Sequence, residues 1–156
     1  RLDRPGASAA TCQARDELGA VVRPPDVTRE RARPCDNLTF SAPVAAVQGE
    51  ADRLTAEGIN KIIVLSHSGY GVDQKVAAET TGVDVIVGGH TNTLLSNTNE
   101  RAEGPYPTMV GETAIVQAYA YGKFLGEVNV TFADEGHVVK AEGEPPSTGG
   151  GGRERE

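Results

Sequence analysis

Two short apolar runs, Ile62-Ile63-Val64-Leu65 and Val83-Asp84-Val85-Ile86-Val87, each lead into a small-residue loop that carries a histidine: Ser66-His67-Ser68-Gly69 and Gly88-Gly89-His90. Runs this short, continuous rather than alternating, fit buried strands of a parallel sheet. A helical stretch precedes each. Val44, Val47, Ala51 and Leu54 recur at spacings of three and four, with Ser41 placed to cap the helix, Pro43 in its first turn and Gly58 as its stop. A second helix is expected from about Val72 to Thr80, with Val76 and Ala77 inward and Gly82 ending it. Helix–strand–helix–strand order predicts an α/β fold with parallel strands covered by helices. The loops after Leu65 and Val87 then leave the same edge of the sheet, where open α/β sheets bind ligands.

The rest of the chain divides around this unit. Residues 1–36 show no sustained periodicity and are broken by Pro24, Pro25 and Pro34; Leu18 to Val22 reads as a short strand. After Leu95 a polar, insertion-like loop runs from Ser96 to Thr108. Ala114-Ile115-Val116-Gln117-Ala118 reads as a further strand. Phe124 to Phe132 and Val138-Val139-Lys140 straddle Asp134-Glu135-Gly136-His137, a hairpin turn signal. The division expected is an irregular segment 1–36, a folded unit 37–143 and a Gly-rich tail or linker 144–156.

Fifteen basic against 22 acidic residues give a net charge of -7. That excludes the clustered positive charge on which binding to a nucleic-acid polymer relies; the arginines near the start are interleaved with Asp26, Glu30 and Asp36. No run reaches the eighteen apolar residues of a membrane span, and the first residues do not form a signal peptide. The chain starts at Arg1, as a processed product or a fragment would. Cys12 and Cys35 lack zinc-knuckle or redox spacing and stand either as one disulfide or as two thiols. Asn37-Leu38-Thr39 and Asn129-Val130-Thr131 match the N-glycosylation acceptor pattern.

On residue chemistry alone, His67 is a metal ligand, a catalytic group or a satisfied loop histidine, and two strand-end histidines together favour a metal site. His90 and Asn92, two residues apart in an extended loop, can both project toward it; imidazole suits first-row metals, and an amide oxygen completes a harder ligand shell. His137 belongs to the surface. Asp84 lies at the wrong end of its strand to be a ligand, and Asp73 is expected to support the start of the second helix. Tyr70 and Gly71, and less directly Tyr119 and Tyr121, are candidate wall residues. Ser66 and Ser68 lack the strained context of a nucleophile and read as loop hydrogen-bonders. Gly88-Gly89 alone is weak evidence for a phosphate cradle.

Three segments in order, Ile62–Tyr70, Val83–Leu95 and Ala114–Gly126, closely resemble the 5′-nucleotidase family of the calcineurin-like metallophosphoesterase superfamily, through S-H-S-G-Y, G-G-H-T-N-T-L-L and Y-G-K-F-L-G. The resemblance covers about Asn37 to Gly143. It implies part of a four-layer αββα sandwich, mostly parallel strands followed by a C-terminal hairpin, with a site for two divalent metals (Zn, Mn, Co or Mg). By resemblance, His67 and His90 share one metal and Asn92 contributes to the other, at a position where many relatives in the wider superfamily have a histidine. The activity implied is hydrolysis of nucleoside monophosphates by metal-activated water, in an extracellular, cell-surface or periplasmic setting.

The family's D-x-H, G-D-x-x-D and G-N-H-[ED] motifs, which bring the remaining ligands, the metal-bridging aspartate and the histidine that steadies the transition state, do not occur here. Neither does its C-terminal nucleoside-binding domain. The expectation is therefore a fragment that is inactive alone, its missing halves on another chain or lost by truncation. The alternatives are a non-catalytic binding fragment, or a piece of a cyclic-nucleotide phosphodiesterase of the same family.

Overall fold

The computed structural model describes residues 41–147. The Leu18–Val22 strand, the two cysteines, the Asn37 triplet and the Gly-rich run lie outside the described residues. Helix α1, Pro43–Ala56, begins with proline, whose missing N–H would have had no helical partner in any case. Its N-cap is Ala42 rather than Ser41, and no side chain caps it. The proline ring forces the residue before it out of the helical region, so the boundary falls on extended Ala42 (ψ 136°). At the other end Gly58 (φ 86°) turns the chain, and Ile59 N–H reaches back to Leu54 O at 3.0 Å.

Strand β1 (Ile63–Leu65), helix α2 (Tyr70–Glu79) and strand β2 (Val85–Val87) follow in order. Strand β3 (Thr108–Val110) then turns through Gly111 and Glu112, with the positive φ on Gly111, into β4 (Thr113–Val116). The sheet order is β1-β2-β4-β3; β1, β2 and β4 are parallel and β3 is antiparallel at the edge. The parallel arrangement is the one expected. Strand β3 is an addition to it, because three residues after Pro107 are too few to display a period. Polar spacing there reads as loop.

Alternation assigns Val64, Ile86 and Ile115 to one face of the sheet. That face packs on Ala51 of α1 and on Val76 and Ala77 of α2, with Val44, Val47 and Leu54 around them. The helical stripe thus serves as its spacing requires. The expectation that β1 is buried fails: Ile63 is 58% and Leu65 82% exposed. Strand β1 is an edge strand, and no described element covers its second face. Its partner residues Val85 and Val87, one strand further in, are 2% and 38% exposed.

Strands β5 (Glu127–Phe132) and β6 (Val138–Glu144) form a separate antiparallel ribbon with an irregularity at Thr131/Phe132. It is docked at both ends. Gly136 in the turn (φ 106°) lies so close to Asn60 that an added Cβ would fall 2.0 Å from Asn60 O, and Asn60 Nδ2 donates to Asp134 O at 3.3 Å. At the far end the Glu144 carboxylate accepts from the Ser96 hydroxyl, from Asn97 N–H at 2.7 Å and from the Thr98 hydroxyl at 2.9 Å. Between the two, Val128 packs on Leu95, Tyr106 and Val116.

Burial opposes ionisation of Glu144, but the Ser96, Asn97 and Thr98 donors outweigh it and hold the carboxyl below its ordinary value. A lowered folded value means stability that is present above the ordinary carboxylate range and is lost as pH falls through it. Glu144→Gln should lower unfolding stability by roughly 1 kcal/mol at neutral pH. The gap to wild type should close on acidification below about pH 4, as read from urea midpoints across pH.

Candidate metal centre

In register, Leu65, Val87 and Val116 lie side by side at the C-terminal ends of β1, β2 and β4. The next residues, Ser66, Gly88 and Gln117, therefore form a row across the sheet end. Ser66 N–H bonds to Val87 O and Gly88 N–H to Val116 O, both at 2.8 Å, which carries the row one step past the strands. By alternation this row shares the helix-covered face with Val64, Ile86 and Ile115. Asp73, in the first turn of α2, comes down onto it.

Asp73 is 1% exposed; its Oδ1 accepts the Ser66 hydroxyl at 2.5 Å and its Oδ2 is buried without a hydrogen-bond partner. Oδ2 lies 2.5 Å from where a Cβ on Gly88 would be, and Gln117 Nε2 lies 3.2 Å from the same point. Space explains this glycine, since a side chain in the middle of the row would displace the carboxylate. Asp73 thus does more than support a helix start: it ties the His67 loop to the helix. Ser66 Oγ also accepts Ser68 N–H at 3.1 Å, so the loop hydrogen-bonding expected of Ser66 is present.

The two histidines meet above this row. The His67 and His90 rings stand edge to face, centroids 5.3 Å apart and planes at 70°. Each is seated against a glycine of the other's loop. An added Cβ on Gly89 would fall 2.9 Å from His67 Nδ1, and one on Gly69 (φ 98°) would fall 2.9 Å from Thr91 Cγ2 and 3.6 Å from His90 Cδ2. Both histidines are solvent-exposed. Asn92 follows in the same exposed loop, but the extended backbone expected there is not found: His90 and Asn92 are both left-handed (φ 76° and 54°). Two imidazoles sharing a tetrahedral metal at bonds near 2.0–2.1 Å put their centroids about 5 Å apart. The observed pair fits that spacing. Among the described residues no group of three or more His, Cys, Asp or Glu side chains is placed to hold a metal.

The remaining candidates sort by contact. Tyr70 links the two loops: its N–H reaches Thr91 Oγ1 at 3.2 Å and its hydroxyl pairs with Thr108 Oγ1 at 2.9 Å. Gly71 has open space where a side chain would go. Tyr119 and Tyr121 are left-handed (φ 59° and 58°) and exposed, Tyr119 packing its ring against Phe124 and under Lys123. Asp84 accepts Ile62 N–H at 2.7 Å at the opposite end of the sheet, a structural role. His137 is exposed in the β5–β6 turn. The residue that sequence reading passes over is Gln117, 3% exposed. Its signal is present: an amide side chain closing an otherwise apolar strand must find partners when buried.

No family model matches the chain. The fold is an α/β unit that brings two histidine loops to one edge of a parallel sheet, and comparison with known proteins identifies its family. The chain is 43% identical over 141 residues to snake venom 5′-nucleotidase of Macrovipera lebetinus, covering 85% of this chain and 35% of that protein. It is 45% identical over 123 residues to 5′-nucleotidase of Rattus norvegicus, covering 73% of this chain and 21% of the relative. Among solved structures, the 5′-nucleotidase precursor of Thermus thermophilus superposes with a TM-score of 0.70 at 41% identity over 77% of this chain and 25% of that one. The Haemophilus influenzae NAD nucleotidase gives 0.68 at 29% identity, covering 74% and 22%. The chain belongs to the 5′-nucleotidase family of metallophosphoesterases. It spans about a third or less of the length of these relatives.

Two outcomes follow from this geometry. Gly89→Ala should push the exposed His67 ring aside at little cost in stability and abolish the His67–His90 contact. Ring-to-ring proton NOEs, present in the wild type and absent in the variant, would show it. Burial raises the Asp73 carboxyl above its ordinary value, against the opposing effects of the Ser66 hydroxyl and the His67 charge. A raised folded value means that stability present below the ordinary carboxylate range is lost as pH rises through the folded value. Asp73→Asn keeps an acceptor for Ser66 and removes this loss. Its stability relative to wild type should therefore increase as pH is raised above the ordinary carboxylate range, in urea titrations.

Proposed function

We propose that this chain carries the histidine side of a two-metal centre in a nucleotide phosphohydrolase of the 5′-nucleotidase type. The observation that supports the reading best is the His67–His90 pair, centroids 5.3 Å apart at the C-terminal end of the parallel sheet. His67 and His90 would hold one divalent cation through one ring nitrogen each, and Asn92 would offer its amide oxygen to a second. Zn, Mn, Co and Mg are the candidate cations. The metals, when bound, would activate water and neutralise the phosphate charge.

The chain's own residues have narrower tasks. Gly69 and Gly89 keep the ring faces clear, so the two nitrogens can converge without steric cost. Tyr70 and Thr91 hold the two loops at a fixed distance through the 3.2 Å bond. The substrate class is a nucleoside monophosphate, and the setting is secreted, cell-surface or periplasmic. No helix among the described residues is long and apolar enough to cross a membrane. The site lies within the unit expected over 37–143, of which residues 37–40 are outside the described residues; the tail expected from 144 begins later, since Glu144 closes β6 and Pro146 O accepts Leu125 N–H at 3.0 Å. The names of the relatives favour this reading over a purely non-catalytic binding role.

Carboxylates are the natural hard ligands of such a centre, and the motifs that supply them do not occur in these 156 residues. The chain by itself should therefore bind Co(II) or Zn(II) weakly, in the micromolar range or above, and should not hydrolyse AMP. Calorimetric titration of wild type against His67→Ala and His90→Ala tests the ligands, with binding lost in both variants. Metal-dependent release of phosphate from AMP by the 156-residue chain would overturn the incompleteness. Equal binding by all three proteins would overturn the site.

A further inference from the structure

The loop that carries His90 and Asn92 is unusual in its backbone. Two of its residues other than glycine are left-handed, a conformation that is disfavoured for L side chains and persists when the surroundings hold it. One buried side chain touches three of its residues, beside the backbone bond from Tyr119 N–H to Thr93 O at 3.0 Å and the Tyr70 N–H to Thr91 Oγ1 bond at 3.2 Å. Gln117 Oε1 accepts Thr93 N–H at 2.5 Å and the Thr91 hydroxyl at 3.3 Å, while Gln117 Nε2 donates to Gly89 O at 3.2 Å. Within the loop Thr91 N–H bonds to Gly89 O at 3.0 Å, and the Thr91 and Thr93 hydroxyls pair at 2.9 Å. Residues 89, 91 and 93 are all tied down through one buried amide. Residues 90 and 92, between them, stay exposed.

We infer that Gln117 is the positioning residue of the centre: from the end of β4 it fixes the odd-numbered residues of the loop so that the even-numbered ones, His90 and Asn92, project together. This deepens the functional reading above and rests on it for the identity of the two ligands. It does not rest on it for the loop itself. An amide suits the task because it offers an acceptor and a donor on one planar group, matching a loop that presents N–H and O–H on one side and a carbonyl on the other. Gly88 leaves the space beside it in which the amide and the Asp73 carboxylate both lie. Groups that orient a metal ligand without touching the metal commonly change affinity ten- to hundredfold when removed.

The experiment uses the full 156-residue chain and two readouts. One is exchange of the Thr93 amide, by NMR, taken relative to the amides of β2. The other is Co(II) affinity. In Gln117→Met, which keeps the length and removes both hydrogen-bonding ends, Thr93 exchange should accelerate at least tenfold relative to β2. Co(II) affinity should fall by about ten- to hundredfold. Ile115→Val, on the same strand and remote from the loop, should lower stability while leaving both readouts unchanged. Were Gln117→Met not to fold, Thr91→Val removes the exposed part of the same clamp and should shift both readouts in the same direction. Unchanged Thr93 exchange in Gln117→Met overturns the inference, as does an equal loss of affinity in Ile115→Val. A wild type that binds no Co(II) overturns the metal reading instead, and the exchange ratio alone then decides whether Gln117 clamps the loop.

Discussion

The parallel register of β1, β2 and β4 is the constraint on which the site depends. It aligns Leu65, Val87 and Val116, and so places Ser66, Gly88 and Gln117 in one row just beyond the last apolar residues. Everything polar beneath the histidines is built on that row. Asp73 bonds Ser66 from the helix side, Gln117 bonds the loop after β2, and Gly88 leaves the room between them. A slip of one residue in a strand would reverse its faces and dismantle the contact that its row residue makes. The apolar core of Ile86 and Ile115 against Ala51 and Val76 excludes such a slip.

The two histidine loops solve one steric problem in reciprocal fashion. A ring from each loop must approach the other loop closely, and each loop supplies a glycine at the point of approach. Gly89 faces His67, and Gly69 faces His90 and Thr91. The double glycine that in sequence resembles a weak phosphate cradle is a pair of clearances. One is for the buried carboxylate and one for the imidazole. Tyr70 then sets the spacing from above by bonding Thr91 and Thr108.

The described unit also has an open side. Ile63 and Leu65 are largely exposed on an edge strand, and their apolar character matches strands that are covered in a larger assembly. The chain's relatives are about three to five times as long as the matched segment. The β5–β6 ribbon, by contrast, is anchored through specific polar contacts at Asn60 and Glu144 and packs Val128 on Val116.

Much of this is legible in the residues. Helical spacing of Val44, Val47, Ala51 and Leu54, the short runs ending at Leu65 and Val87, and the Asp134–His137 turn are local patterns, so periodicity and turn chemistry disclose them. The motifs around His67, around His90 and Asn92, and from Ala114 to Gly126 together carry the family resemblance. Three things are not legible. The exposure of β1 depends on its place at the edge, which alternation cannot reveal. The N-cap falls on Ala42 because the effect of Pro43 on its neighbour outweighs the capping preference of Ser41. Gln117 gains its role only when the register sets it beside Gly88, 28 residues from the carbonyl it holds. The sequence determined which side chains could serve a metal centre, since ligand chemistry belongs to the residue. Only the tertiary structure decided that two loops 23 residues apart would bring their rings together, because that distance is set by strand order, register and the absence of side chains at three glycines.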